Sequence, residues 1–285
     1  MTRSLIQMSK SKFARLVRKH PRILVGGVIL LIVAVLGIGA PVFAPNNPIL
    51  QDLELSYKPV VPGFPLGADE FGRCMFSRLL FGARLSLTVG FVAVGIGATL
   101  GGLLGLIAGL GGGMVDTFIM RTMDAMLAIP GILLAIAIVA ALGPGIVNVM
   151  LAVGISSVPS YARLVRGSVL SLRENEYIEA ARALGAPITR IAFSHMIPNL
   201  LAPVLVVGTM QMGSAILSAA GLSFIGLGAQ APTPEWGAML SRGREALRIA
   251  PHIATYPGLA IFITVMGFNF LGDGIRDYLD PRLKT

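Results

Sequence analysis

The sequence predicts an all-α membrane protein with six transmembrane helices and both termini in the cytoplasm, on three observations. Charged residues make up 13% of the 285 residues and apolar residues 54%, with a mean hydropathy of +0.79. Soluble domains carry about 25% charged residues, and so few charges cannot cover a soluble surface. The second observation is a set of stretches free of Asp, Glu, Lys and Arg. They run between Arg22 and Asp52, Arg84 and Asp116, Asp124 and Arg163, Arg190 and Glu235, and Arg248 and Asp273. The third is an uneven distribution of basic residues on the two sides of those stretches.

A spanning helix needs about 20 apolar residues, so each stretch holds at least one. The first is predicted at 23–44. Its basic lead and Val42-Phe43-Ala44 look like a secretory signal, but the apolar run exceeds the usual core of about 7–15 residues and reads as an uncleaved span. The second falls at 84–110. Ala125 to Ala162 is too long for one helix and contains Gly143-Pro144-Gly145, a turn sequence that divides it into helices at 119–142 and 145–165. The last two are predicted at 199–226 and 254–275. Pro130-Gly131 and Pro159 interrupt the third and fourth helices, where kinks would shape a cavity.

Orientation follows from Lys and Arg in alternate loops. With the N-terminus inside, the inner side holds Arg3, Lys10, Lys12, Arg15, Arg18, Lys19, Arg22, Arg121, Arg163, Arg166, Arg173, Arg182, Arg190, Arg276, Arg282 and Lys284. The outer side holds only Lys58, Arg73, Arg78, Arg84, Arg242, Arg244 and Arg248. The net charge of +9, which alone would admit nucleic acid as a partner, is absorbed by this bias. The scheme makes 1–22 a cytoplasmic segment, 45–83 an extracytoplasmic loop and 276–285 a cytoplasmic tail. Residues 84–275 form a core of five helices that includes an inner loop at 166–198. Arg78 and Arg84 beside Leu79-Leu80-Phe81 suggest a short amphipathic segment at the outer interface.

The inner loop is too long for a simple connection. Arg173 to Leu184 is rich in Glu, Ala, Arg and Leu and predicts a short helix. Gly185 accepts a left-handed turn after it, and Pro187 prevents continuation. A second short helix is predicted from Ile188 to Ile197, stopped by Pro198. The small Ala180, Ala181 and Ala183 beside Leu184 let another protein surface come close; an amphipathic connector lying on lipid headgroups fits the same residues.

Glu179-Ala180-Ala181, with Gly185 and Ala186 following and Pro198 further on, resembles the signature of ABC-importer permeases. His195-Met196-Ile197-Pro198-Asn199 looks like the variant of its peptide-importer branch. Gly67-Ala68-Asp69-Glu70-Phe71-Gly72-Arg73, then Ser77-Arg78-Leu79 and Gly82-Ala83-Arg84, is similar to the stretch before the second span in dipeptide/oligopeptide/nickel permeases. This chain departs from that pattern at Cys74, where the family has Asp. Gly226-Leu227-Gly228-Ala229-Gln230 with Pro232-Thr233-Pro234-Glu235-Trp236-Gly237 resembles the family's last outer loop. Asn269 to Pro281 resembles its C-terminal signature.

The chain is thus identified as similar to a C-type permease subunit of this family, with the type I ABC-importer permease fold. The resemblance implies that Glu179, Ala180, Ala181, Gly185, Ala186 and Pro198 belong to a coupling helix that docks on a cytoplasmic ATPase. It further implies a bacterial inner-membrane complex containing a homologous second permease, two ATPase subunits that bind ATP and Mg, and an extracytoplasmic solute-binding protein. The substrate class is short peptides (dipeptide, oligopeptide or glutathione-like). A nickel complex is the alternative within the family, and a stand-alone secondary transporter the alternative outside it.

Catalytic chemistry is not expected in this chain. Lys10, Lys12, Lys19, Lys58 and Lys284 never follow Gly, so a Gly-Lys-Ser/Thr phosphate loop is missing. His20, His195 and His252 are scattered without metal-ligand spacing. Gly154-Ile155-Ser156-Ser157 lacks the last Gly of a membrane serine-protease motif. Arg121 and Asp124, three apart near the inner end of the third span, are candidates for a gate contact or a local ion pair. Met120, Met123, Met126, Met210 and Met212 suit either a soft pathway lining or ordinary packing. Glu235 and Trp236 are candidates for contact with the binding protein, with headgroup anchoring as the other reading of Trp236. The lone Cys74 excludes an internal disulfide.

Overall fold

The computed structural model describes residues 21–279. The predicted cytoplasmic segment before Pro21, including His20, and the tail beyond Leu279 lie outside them. Within the described residues the chain is helical, with isolated antiparallel bridges at Val61–Phe64 and Ala68–Cys74 and no β-strand. The helices are α1 (Pro21–Ile38), α2 (Met75–Gly111), α3 (Gly113–Leu127), α4 (Gly131–Leu142), α5 (Ile146–Arg173), α6 (Glu176–Ala183), α7 (Ile188–Phe224), α8 (Trp236–Gly243) and α9 (His252–Leu279).

Helices α1, α2, α7 and α9 are long and apolar enough to cross a membrane, and the bent pair α3–α4 adds a fifth if it counts as one span. Helix α5 has 28 residues but carries Arg163, Arg166 and Arg173 toward its end, so composition alone does not bring the number to six. Helix α2 runs for 37 residues, about 55 Å at ~1.5 Å per residue, against a hydrocarbon layer of about 30 Å. Part of it therefore extends beyond that layer. The amphipathic interfacial segment expected around Arg78 is instead the start of this helix, and Arg78 is buried.

The third predicted span is broken at residues 128–130, with α3 and α4 at 92°. Pro130 supplies no N–H and pushes the residue before it out of helical geometry. Helix α4 then restarts with the Leu133 and Leu134 amides donating to the Pro130 carbonyl at 2.8 and 3.0 Å. Pro159, by contrast, lies within an uninterrupted α5.

Packing between α2 and α5 rests on Gly97, Gly101, Gly105 and Gly109, spaced by four and therefore on one face of α2. A Cβ at Gly101 would stand 2.5 Å from the Val158 carbonyl oxygen, and one at Gly105 would meet the Ala162 carbonyl more closely still. The two backbones touch there with no room for a side chain. Beyond that contact, Val89, Val139, Val149, Ala152 and Leu222 join α2, α4, α5 and α7 in one buried cluster. Met123 packs with Val158 and Ala162, and Met212 with Ile216 and Phe268, so these two methionines pack in the core.

Helix α1 lies along α9, and Arg22 donates to Asp277 at 3.2 Å. Both ends of the described chain therefore sit at the same end of the bundle, together with α6. The opposite end is closed by a cap built from the segments before α2 and between α7 and α9. Cys74 is buried and occupies the N-cap position of α2 without a side-chain hydrogen bond. Serine accepts readily from the first-turn amides. Cys74→Ser should therefore raise the thermal stability of the purified protein, by about 1 kcal/mol on the usual worth of an N-cap.

Candidate functional site

The surface carrying the signature is the turn between α5 and α7. Helix α5 continues through Arg173, and the short helix predicted from that residue starts only at Glu176, after Asn175. Ile178 is fully buried and pins α6 against Val165, Val169, Ile191, Met196 and Leu200, with Ala181 and Ala186 packed beside them. Glu179, Ala180, Arg182 and Ala183 remain exposed. Tyr177 stands edge-on to the His195 ring, with centroids 6.1 Å apart.

Helix α6 ends as its residues dictate. The Ala186 amide donates to Ala181 O at 3.0 Å and the Gly185 amide to Arg182 O at 2.9 Å, the paired bonds of a left-handed helix stop. Gly185 has φ +81° with nothing within 4 Å of a Cβ, so the position requires glycine for its backbone and presents open surface. Leu184 projects outward at 88% exposure, with Ile188 and Phe193 also exposed. The result is a rigidly anchored knuckle with an apolar tip.

Pro198 does not end a helix, contrary to expectation. Residues Ala192–Met196 form a π-helical turn in which the Ile197 amide reaches Ala192 O, and the chain runs straight on into the rest of α7. The wider turn carries the proline past the point where its ring would meet the carbonyl four residues back. Pro198 is exposed and separated from the Gly185 turn by this segment.

Asp124 pairs with Arg163 of α5 at 2.8 Å, not with Arg121 as local spacing suggested. Arg121 is exposed on α3. One further pair on the same helices escaped sequence reading: Asp116 receives both Arg166 Nε and, at 2.6 Å, Arg166 Nη2. Together the two pairs tie α3 to α5. No local rule finds them, because the partners stand 39 and 50 residues apart.

In the cap, Glu235 and Trp236 are 3% and 2% exposed, which removes both as outward contacts for a binding protein. Trp236 lies on Gly82 and donates from Nε1 to Leu79 O at 3.0 Å. Glu235 caps α8, accepting from the amides of Gly237 and Ala238 at 2.9 and 2.8 Å. Burial pushes its carboxyl up from the ordinary value, while these two N–H groups pull it back.

A buried charge cluster locks the cap to the start of α2. Asp69, Arg73 and Arg78 are each no more than 3% exposed. One oxygen of Asp69 accepts from the amides of Phe71 and Arg73 at 2.9 and 3.0 Å; the other takes Arg73 Nε at 2.6 Å and lies 3.2 Å from Arg78 Nε. Glu70 pairs with Arg73 at 3.1 Å and Arg242 at 3.5 Å, and Arg78 Nη1 donates to Pro48 O at 2.9 Å. Gly72 sits at φ +70°, where a Cβ would strike the Asp52 carbonyl, so the tight turn that aims Asp69 at Arg73 depends on glycine. His252 Nε2 lies 3.0 Å from Ala68 O. Among the described residues, His, Cys, Asp and Glu form no group of three that could hold a metal ion.

Residues 101–285 match the family described as binding-protein-dependent transport system inner membrane component. The chain is 52% identical over 220 residues to the glutathione transport system permease protein GsiD of Pectobacterium atrosepticum, covering 77% of this chain and 73% of that one. It is 54% identical over 219 residues to the dipeptide transport system permease protein DppC of Alkalihalophilus pseudofirmus, covering 77% and 72%. GsiD of Salmonella paratyphi A is 49% identical over 269 residues, 94% of this chain and 88% of that one. Among solved structures, the MetNI methionine ABC transporter in an inward-facing conformation superposes with a TM-score of 0.58 at 20% identity, covering 72% of this chain and 98% of that chain. That likeness concerns the fold alone. This chain belongs to the family of inner membrane components of binding-protein-dependent transport systems.

Proposed function

We propose that the chain is the permease subunit of an ABC importer that takes short peptides from a binding protein, with α6 as the element that receives the ATPase stroke. The observation that carries the reading is the anchored knuckle of α6: Ile178 fixes it to the core, while Glu179, Ala180, Gly185 and Leu184 stand open to a partner. Peptides as cargo rest on the relatives named for glutathione and dipeptide transport. Two ATPase subunits bind ATP and Mg beneath α6, a second permease completes the membrane part, and a solute-binding protein delivers cargo at the cap. In this arrangement α5 is the sixth crossing and both termini are cytoplasmic, a scheme supported by the Arg22–Asp277 pair and the basic residues at that end.

ATP does work on this chain only by favouring one conformer through contacts that differ between conformers. Because α6 is buried on one side and exposed on the other, a push on the knuckle passes to α5 and α7 as rigid-body motion. The Asp124–Arg163 pair, exposed at this end, is placed to open and close with α3 and serves as the gate contact in place of Arg121–Asp124.

Gly185→Trp is the expected uncoupler. A side chain at φ +81° strains the turn, and the indole occupies the space left for the partner. Membrane insertion should stay normal while ATPase co-purification and peptide uptake fall about tenfold, a loss near 1.4 kcal/mol. Normal uptake and normal complex yield in this variant would refute the docking role. Parallel assays with a labelled dipeptide, glutathione and a nickel chelate assign the cargo, and uptake of the nickel chelate alone would overturn the peptide reading.

A further inference from the structure

Between α4, α5 and α7 lies a cleft with a volume of about 180 Å³, lined by Ser156, Ser157 and Ser160 of α5 and Gln211, Ser214 and Ser218 of α7, with Gly131 and Ile132 at the start of α4. Two larger cavities of the bundle are apolar. That between α1, α2, α7 and α9, about 470 Å³, is walled by Leu30, Leu87, Phe91, Leu205, Phe268 and similar side chains, a lining suited to lipid tails.

Hydroxyls in an apolar bundle ordinarily turn back on their own helix, because an unpaired donor in hydrocarbon costs several kcal/mol by order of magnitude. Thr88, Thr99, Thr122 and Thr209 do so, each donating to the carbonyl four residues back at 2.6–3.0 Å. In the cleft, Ser156 and Ser157 donate to the carbonyls three residues back at 2.9 and 2.7 Å, which leaves each hydroxyl able to accept. Ser160, Gln211, Ser214 and Ser218 form no such bond among the described residues. Ser160 and Ser214 are exposed and Gln211 and Ser218 half-buried, so a carboxamide and three hydroxyls in a chain this apolar stand open on one cleft to water or a polar ligand.

The wall of the cleft adds a second observation. The chain between α3 and α4 is non-helical and turns through 92°. Irregular backbone at membrane depth is tolerated where it is buried in protein or lies by an aqueous cavity, and Gly131 and Ile132, the first helical residues after the break, border the cleft. No ionised side chain lines it; the nearest on α5 is Arg163, one turn beyond Ser160 and already paired with Asp124.

We propose that this cleft is the part of the translocation path supplied by this chain, and that it holds a peptide by its backbone amides. The inference rests on the peptide-importer reading and names the site and the mode of recognition. Ser hydroxyls and the Gln carboxamide both donate and accept, matching the N–H and C=O of a peptide bond. The lack of fixed charge makes the grip indifferent to the side chains and suits passage rather than retention. Selection then falls to the binding protein.

The test uses the complete complex with its ATPases and binding protein, in proteoliposomes, on a Cys74→Ser background. Gln211→Cys, Ser214→Cys and Ser218→Cys are treated with a membrane-impermeant cationic methanethiosulfonate and compared with Leu205→Cys, which is exposed on the same helix but on an apolar surface. Thiolate reactivity needs water, so the cleft cysteines should react at least about tenfold faster than Leu205→Cys in one nucleotide state. A dipeptide delivered by the binding protein should slow them. Gln211→Leu should lower uptake about tenfold, the worth of one lost hydrogen bond, and equally for alanine-, lysine- and glutamate-bearing dipeptides. Labelling no faster than Leu205→Cys in every nucleotide state would overturn the location of the path. A Gln211→Leu effect that is absent, or that depends on peptide charge, would overturn the backbone grip. Cleft cysteines that label, in a complex whose Cys74→Ser parent and wild type import no peptide, would contradict the peptide reading and the grip together, while the aqueous path stood.

Discussion

Gly101→Leu is expected to leave little folded protein in the membrane. The first carbon of the new side chain would fall 2.5 Å from the Val158 carbonyl and 3.1 Å from the Ala162 amide, and both are backbone atoms of a continuous helix. Neither can swing aside, so α2 and α5 must separate along the length now held by Gly97, Gly101, Gly105 and Gly109. Overpacking in a core commonly costs about 1–3 kcal/mol, and prying apart two touching helices belongs at or above the upper end. A loss of about 3 kcal/mol lowers the ratio of folded to unfolded protein on the order of a hundredfold. Gly102→Leu, one residue on, is the control: nothing lies within 4 Å of a Cβ there, and leucine is the better helix former by up to about 1 kcal/mol. Thermal unfolding of both variants in detergent checks the pair. Equal melting temperatures would show that α2 and α5 are not packed through these glycines.

The second large effect is expected at Asp69. Its two carboxylate oxygens hold Arg73, Arg78 and two backbone amides in a site closed to solvent. Asp69→Asn keeps the shape and one acceptor but turns an amide donor toward guanidinium donors; Arg73 retains Glu70, while the buried Arg78 loses its paired carboxylate. Breaking a buried pair in this way costs about 3–5 kcal/mol. The exposed Arg22–Asp277 pair should cost no more than about 1 kcal/mol when broken by Asp277→Asn. Melting temperatures of the two variants separate the cases. A cap that survives Asp69→Asn with an unchanged melting temperature would mean that the cluster does not hold the cap to α2.

Local chemistry made some of this legible in advance. Gly185 and Pro187 mark the end of α6 because a left-handed stop and a missing N–H act within a few residues. The break at Pro130 was readable for the same reason, although its angle was not. Long-range partners were invisible. Trp236 reads as an exposed anchor until Leu79, 157 positions away, supplies the carbonyl for its indole. Asp124 reads as the mate of Arg121 until α5 brings Arg163 to it. Pro198 reads as a stop because nothing local announces the π-helical turn before it. The cleft was overlooked for a different reason. Reading for acids, nucleophile motifs and metal ligands passes over neutral hydroxyls and a carboxamide, whose meaning appears only when helices 50 residues apart in sequence face one another. Ser156 and Ser157 read in sequence as part of an incomplete protease motif, with no local sign of a lining.

The central claim is that ATP hydrolysed on partner subunits drives peptide through this chain by way of α6. Its most direct test is the initial rate of labelled dipeptide uptake into proteoliposomes holding the complete complex and binding protein, with ATP or a non-hydrolysable analogue on the ATPase side. Uptake should require ATP and the binding protein, and the analogue should support no more than a single turnover. Uptake of the same dipeptide by this chain alone, driven by an ion gradient and indifferent to ATP, would contradict the account.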